Sequence, residues 1–278
     1  MKQGFNFMKN LYVIFAFILL FLCTTEALAE GLKFSPQRIN FDAKDRVFTL
    51  TVLNDSDEKK AYRLSFETRY LKPEGGTTLV SDESEFSAVP YLRLSPRRII
   101  LGANQRQKVR LQYTGSNLVD GDYLAHLKFT EVNLPSDLQS DEESVGMKFE
   151  VKQVVNVAIP LRLSVGDVQS NVKIISAEKS NYAQDGYEFW DITFKRSGNG
   201  NGSGFLYGRF KKDGSDEQGA LIIQRVPVNI YRNTDKFTLK APLVAGAKLG
   251  KGTLMLTLYD GEGINRPVID TLVLNIPE

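Results

Sequence analysis

Cysteine, histidine and tryptophan are almost missing from this 278-residue chain, which holds one of each. The cysteine is Cys23 and the histidine His126, so no disulfide can close within the chain and no metal site can be built from several His and Cys ligands. Ser-His-Asp triads and Cys-His pairs draw on the same scarce residues, which weighs against the common hydrolase chemistries. Carboxylate pairs stay open, because Asp and Glu number 33. Helical periodicity is nearly absent as well. After residue 29 no apolar run approaches the ~20 residues that a helix needs to cross a bilayer. An excess of one charge sign is also lacking: 35 Lys and Arg against 33 Asp and Glu leave a formal net charge of +2. The two signs are interspersed, so the sequence implies neither nucleic acid nor an acidic membrane surface as a partner, and no stable membrane insertion.

The one long hydrophobic run opens the chain. Lys2 and Lys9 flank its start, and 13 apolar residues follow at 11–23 (LYVIFAFILLFLC). Ala27-Leu28-Ala29 then supplies small residues at −3 and −1 of a cleavage site. The run is too short for a spanning helix, so residues 1–29 are predicted to be a cleaved signal peptide, with the exported chain starting at Glu30. Leu22, bulky just before Cys23, argues against a lipoprotein anchor. Cleavage removes the only cysteine. The exported protein must then be held by sheet pairing and core burial alone.

What the chain has in quantity is alternation. Apolar and polar residues take turns over five to eight positions, rich in Val, Ile, Thr, Tyr and Phe and broken by turn residues. Residues 46–53 (RVFTLTVL), 61–68 (AYRLSFET), 108–113 (KVRLQY) and 123–132 (YLAHLKFTEV) read this way, with a short strand at 99–101. Residues 134–144 (LPSDLQSDEES) read as a mobile acidic loop, and a long strand pattern follows at 145–163. After a linker at 164–169, strands are predicted at 187–195 (YEFWDITFK), within 219–231 as one or two, at 253–259 and at 271–275. The glycine-rich 197–204 reads as a hairpin or loose turn, Trp190 as core, His126 as an ordinary strand residue and Arg110 as a structural one. The predicted architecture is all-β, two β-sandwich domains at 30–165 and 166–278.

Residues 145–152 (VGMKFEVK) carry the most functional information. Val145, Met147, Phe149 and Val151 form one apolar row, and Lys148, Glu150 and Lys152 a charged one, because alternate side chains of a strand face opposite ways. Taken alone, this is an ordinary sandwich strand with one face in a core. Following a long polar loop, it also reads as an edge strand, able to pair with another chain through its free N–H and C=O groups while its apolar row fills pockets.

From residue 32 to about 167 the chain resembles the N-terminal domain of the PapD-like periplasmic pilus-assembly chaperones. Ser35-Pro36-Gln37-Arg38-Ile39-Asn40-Phe41 resembles the first strand of that family. Residues 47–54 with Ser56 resemble the second strand and its asparagine-serine turn. Leu94-Ser95-Pro96 through Leu101, then 105–111 (QRQKVRL), resemble the proline-marked strand and the stretch after it. Gly121-Asp122-Tyr123 resembles the start of the next strand, and 145–160 the donor strand, with Pro160 as its terminal proline. In the second half, 189–196 ending on Arg196, then Gly198-Asn199 and Gly208, resemble the pattern of the second domain.

The resemblance implies two immunoglobulin-like β-sandwich domains in a boomerang arrangement, no cofactor, no metal and no enzyme activity. It implies a periplasmic chaperone that completes pilin or fimbrial subunits by donor-strand complementation and passes them to an outer-membrane usher. Val145, Met147, Phe149 and Val151 would enter the subunit, and Arg38 would anchor its C-terminal carboxylate. For the second basic anchor Lys152 is the nearest candidate: Val154, Val155 and Asn156 carry no charge, and Ile159 stands where a basic residue usually precedes the proline. A free chaperone could also cap itself as a dimer. Two rival readings remain at this point. A secreted pilin-like or adhesin subunit would need an N-terminal donor extension, and the first strand starts within a few residues of Glu30. A glycosidase using Asp120 and Asp122 would need them to flank a sugar, whereas residues two apart on a strand share a face.

Overall fold

Side-chain alternation decides the architecture of this protein. The computed structural model describes residues 31–134, 156–215, 219–261 and 266–277, and its elements are strands apart from two short 3-10 turns. In the first half, β1 (Leu32–Ser35), β3 (Val47–Asn54), β8 (Arg106–Tyr113) and β6 (Leu92–Ser95) lie side by side in that order. Facing them is a sheet ordered β2 (Ile39–Asp42), β10 (Asn156–Val165), β9 (Gly121–Val132), β4 (Lys60–Leu71) and β5 (Thr77–Val80), with β7 (Arg98–Leu101) also pairing with β4. In the second half, β11 (Ser170–Gln184), β12 (Tyr187–Gly198) and β15 (Lys236–Pro242) form one sheet. The other is ordered β14 (Ala220–Ile230), β13 (Gly202–Lys212), β16 (Gly252–Tyr259) and β17 (Val268–Ile276). The two-domain all-β fold expected from the sequence is the one found.

On β8 the alternation is plain: Val109, Leu111 and Tyr113 are buried while Lys108, Arg110 and Gln112 are exposed. The buried row meets Leu50 and Val52 of β3 and, from the facing sheet, Leu127, Phe129 and Leu163. Each such side chain contributes about 1.5–3 kcal/mol by leaving water. The second sandwich is built the same way around Trp190, Ile192 and Phe194, against Leu206, Leu256 and Leu258. The predicted turn after β3 is tied down from inside. Buried Asn54 donates through Nδ2 to the carbonyls of Glu58 (2.7 Å) and Gly102 (2.9 Å), and Ser56 Oγ donates to Asn54 Oδ1 (2.8 Å).

Three expectations need correction. The single first strand at 35–41 is two strands in different sheets, β1 and β2. Pro36 lies between them, where its missing N–H and fixed φ break a ladder. Pro160 does not end the donor-strand pattern, because β10 continues to Val165. The glycine-rich turn is no hairpin, since β12 and β13 lie in different sheets and the turn crosses from one to the other.

That crossing turn holds the two sandwiches together. Asn199 Nδ2 donates to the carbonyls of Asp120 (3.1 Å) and Asp167 (2.8 Å), and Asp122 N–H donates to the Asn199 carbonyl (3.0 Å). On the far side of the junction, Leu71 at the end of β4 packs into the second core. Its N–H donates to Asn233 Oδ1 (3.1 Å), and its carbonyl accepts from Asn233 Nδ2 (2.9 Å) and Thr234 Oγ1 (2.8 Å).

Candidate functional site

β10 is the strand that positions the site. Along its whole length it pairs antiparallel with β9, from Asn156 opposite Thr130 to Val165 opposite Gly121. On its other side β2 pairs with it in parallel, but only from Leu161 opposite Ile39 to Ser164 opposite Asp42. Among the described residues, 156–160 therefore have one neighbour and one open edge. Pro160 fits this arrangement, because proline cannot donate to a ladder and is tolerated where a strand lies at an edge. Ile159, Leu161 and Leu163 are buried in the sandwich, which turns Ala158, Pro160 and Arg162 outward.

The outward face of β10 and β2 meets the second sandwich in a cavity of about 150 Å³. Arg38, Asn40 and Arg162 line it from the first domain, and Asn201, Asn229 and Tyr231 from the second. Arg38 is exposed just ahead of β2, and its Nη1 donates to Asn229 Oδ1 (2.8 Å). Arg162 stands beside Asn40 in the parallel register. Its Nη1 lies 3.8 Å from Asp122 Oδ2, and its Nε is buried with no hydrogen-bond partner. Two guanidinium groups at one small cleft, one with an unused donor, are equipped to grip an anion, and a carboxylate matches their fork.

Sequence reasoning singled out Arg38 and missed Arg162. The resemblance points upstream of Pro160, whereas the second basic residue of the cleft lies two positions downstream, on the outward side of the same strand. The signal was the parity of β10 itself: with Ile159, Leu161 and Leu163 inward, Arg162 has to face out. Val145, Met147, Phe149, Val151 and Lys152 lie outside the described residues.

Asp122, considered above as one of a catalytic pair, is fully buried. Its Oδ1 accepts from Ser164 Oγ (2.6 Å) and its Oδ2 from the Asn201 N–H (2.7 Å), so it joins the domains. Asp120 is engaged likewise, accepting from the Asp167 N–H (3.0 Å). His126 is less ordinary than expected. It is buried on β9 opposite Pro160, with Glu67 of β4 on its other side and the Tyr231 ring 6.4 Å away across the junction. Burial, helped by the charge of Arg69, holds its pKa down from 6.5 to about 4. Burial would raise the Glu67 carboxyl, but hydrogen bonds from Arg69 (2.5 Å) and Lys128 (3.3 Å) outweigh it and hold the group below its usual range. Among the described residues no group of three or more His, Cys, Asp or Glu side chains is placed to hold a metal ion.

No family model and no curated protein sequence matches the chain. In fold, the chain is similar to solved fimbrial and pilus chaperones, the class its sequence resembles. The class 5 fimbriae chaperone CfaA matches at 16% identity over 88% of this chain and 98% of that one, with a TM-score of 0.48. The YadV chaperone matches at 11% identity over 88% of this chain and 100% of its own, with a TM-score of 0.47. A chain of the CsuC–CsuE chaperone–tip adhesion subunit pre-assembly complex from Acinetobacter baumannii matches at 13% over 89% and 98%, also with a TM-score of 0.47. At such identities the likeness concerns the fold alone.

Proposed function

We propose that this protein is a non-enzymatic periplasmic chaperone that binds pilin or fimbrial subunits by donor-strand complementation and delivers them to an outer-membrane usher. The observation that carries this is the open edge of β10 at 156–160, directly downstream of the alternating apolar row Val145, Met147, Phe149 and Val151. A subunit lacking one strand gains main-chain pairing from such an edge, and each apolar side chain entering its groove adds about 1.5–3 kcal/mol. The cleft supplies a second hold. Arg38 and Arg162, rather than Arg38 and Lys152, are the pair we assign to a subunit's terminal carboxylate. Without a subunit, the same edge would pair with a second copy, giving a self-capped dimer.

Co-expression with a pilin subunit, followed by pull-down from the periplasm, tests this. A one-to-one complex is expected. It should be lost when Met147 and Phe149 are replaced together by Ser, with the melting temperature of the free chaperone unchanged. Undiminished capture by that variant would sink the donor-strand assignment. A milder loss is expected from the cleft: charge-assisted bonds contribute ~1.5–3 kcal/mol, so Arg38→Gln or Arg162→Gln should each weaken the complex roughly ten- to a hundredfold. Wild-type affinity in Arg162→Gln, measured by titration, would remove Arg162 from the anchor.

A further inference from the structure

The sheet of β1, β3, β8 and β6 has no part in the cleft, and its outer face is charged with one sign only. These four strands carry Lys33, Arg93, Arg106, Lys108 and Arg110 and no aspartate or glutamate. The chain as a whole is nearly balanced, so this is segregation and not a reflection of net charge. Alternation produces it. Arg106, Lys108 and Arg110 are every second residue of β8, all exposed, while Val109 and Leu111 between and beyond them face the core.

Register sets their surroundings. Across β3 they stand beside Leu53, Thr51 and Thr49, and Arg110 has Ser95 of β6 on its other side. One step along, Gln112 pairs with Arg93. The cations therefore form a line at roughly 6.6–6.8 Å intervals along the strand, flanked by side chains mostly too short to shield them. Lys33 is neutralised by an ion pair with Asp55, and Arg93 donates through Nη1 to the Leu92 carbonyl (3.0 Å), which leaves its charge uncompensated. Arg106, Lys108 and Arg110 have neither ion pair nor side-chain hydrogen bond among the described residues.

We propose that this face docks on an anionic membrane surface, its cations lying against lipid phosphate groups. An acidic protein is the other occupant such charge would suit. Protein interfaces, however, concentrate aromatic and apolar residues at their centre and exclude charge from it. Here the centre is Lys108 and Arg110 between Thr51, Thr49 and Ser95, and no contact pre-aims the cations at fixed partners. Laterally mobile phosphates do not require aimed side chains. The face lies on the back of the sandwich, opposite the sheet that contains β10. Docking there leaves the open edge free.

Each basic residue near an anionic bilayer is worth about fivefold in partitioning, so four give on the order of several hundredfold at physiological ionic strength. The test uses the chain from Glu30 onward, without the leader that would itself enter lipid, sedimented with vesicles of phosphatidylglycerol or of phosphatidylcholine. Binding is expected to phosphatidylglycerol only, and to weaken as salt shortens the Debye length. Arg106→Gln, Lys108→Gln and Arg110→Gln together should lower it about a hundredfold, with melting unchanged because nothing in the fold rests on these side chains. The control removes equal charge from an exposed row of the second sandwich, where Lys195 pairs with Lys173 and with Lys236, as Lys173→Gln, Lys195→Gln and Lys236→Gln. An equal loss in this control would overturn the proposal. So would failure of the wild-type chain to bind phosphatidylglycerol at low salt. Binding of wild type to polyglutamate but not to vesicles would assign the face to an acidic protein and overturn it likewise.

Discussion

Arg196→Ala is expected to destabilise the protein by about 3–5 kcal/mol and to lower its melting temperature by roughly 10 °C. Arg196 is 4% exposed, and all five of its N–H donors are used. Nε donates to the Thr234 carbonyl (3.1 Å), Nη1 to those of Gly198 (2.7 Å) and Gly200 (3.0 Å), and Nη2 to the Arg232 carbonyl (3.0 Å) and Asp235 Oδ1 (2.6 Å). Asp235 is well solvated and contributes little as a charge. The cost comes from main-chain acceptors left without donors inside the fold. Both loops held by Arg196 also grip the first sandwich: Asn199 and Asn201 reach Asp120 and Asp122, while Asn233 and Thr234 reach Leu71. Loss of the guanidinium should therefore loosen the domain junction before either core melts. Arg196→Lys separates charge from geometry. One ammonium has three donors and no planar fork, so it should recover only a small part of the stability. Full recovery by lysine in a thermal melt would show that charge, and not the five-bond clamp, is what matters.

Arg196 also marks how far the sequence could be read. It was visible as the arginine closing a strand ahead of Gly198-Asn199, and its role was not, because its partners are carbonyls and every residue type has those. Strands with one face in a core and the other towards solvent were legible by alternation, β8 most plainly and β3 with it. The alternating sequence of β9, by contrast, hides a strand buried on both faces from Gly121 to Leu127, because the second sandwich covers its outer side. β11 was not: only Val172, Ile174 and Ser180 of its residues are buried, and its register shifts twice against β12, so no period of two survives. β13 was hidden by its glycines. At Gly204 a Cβ would come within 2.8 Å of the Tyr259 carbonyl, so the pattern shows no side chain where the ladder is tightest. At the site, Arg38 is legible through resemblance and Arg162 is not, because a proline in a strand looks like the strand's end, whereas β10 runs through Pro160 to Val165. The charged sheet was invisible for a third reason. Arg106, Lys108 and Arg110 alternate within one segment, but only the pairing of β8 with β3 and β6 shows that its neighbours bring Arg93 and no acidic residue to that face, in a chain whose charges otherwise balance.

Acidification should destabilise this protein through its single histidine. His126 is buried, with its Nδ1 unpaired and its pKa held near 4 by burial first and then by Arg69. Arg38 pushes in the same direction, while Glu67 opposes both. In the unfolded chain the ring titrates near 6.5. Between those values the unfolded state binds a proton and the folded state does not, so stability rises with pH and is lost as pH falls from 6.5 towards 4. Nothing is lost above 6.5, and the loss amounts to about 2 kcal/mol by pH 5 and about 3 kcal/mol near pH 4. Glu67, whose folded pKa is lowered, adds a loss of the same sign at lower pH. No other side chain in the sequence has an ordinary pKa between 5 and 7, so the upper part of the slope belongs to His126 alone. Urea unfolding at pH 7, 6 and 5 should show the decline, and His126→Phe, which keeps an aromatic ring against Tyr231 and removes the titration, should flatten it. Persistence of the full slope in that variant would mean that the acid sensitivity lies elsewhere. The position of the ring gives the effect a direction in space. An imidazolium formed beside Arg38, Arg69 and the Tyr231 ring adds a further cation at the junction, and the two sandwiches should part there first.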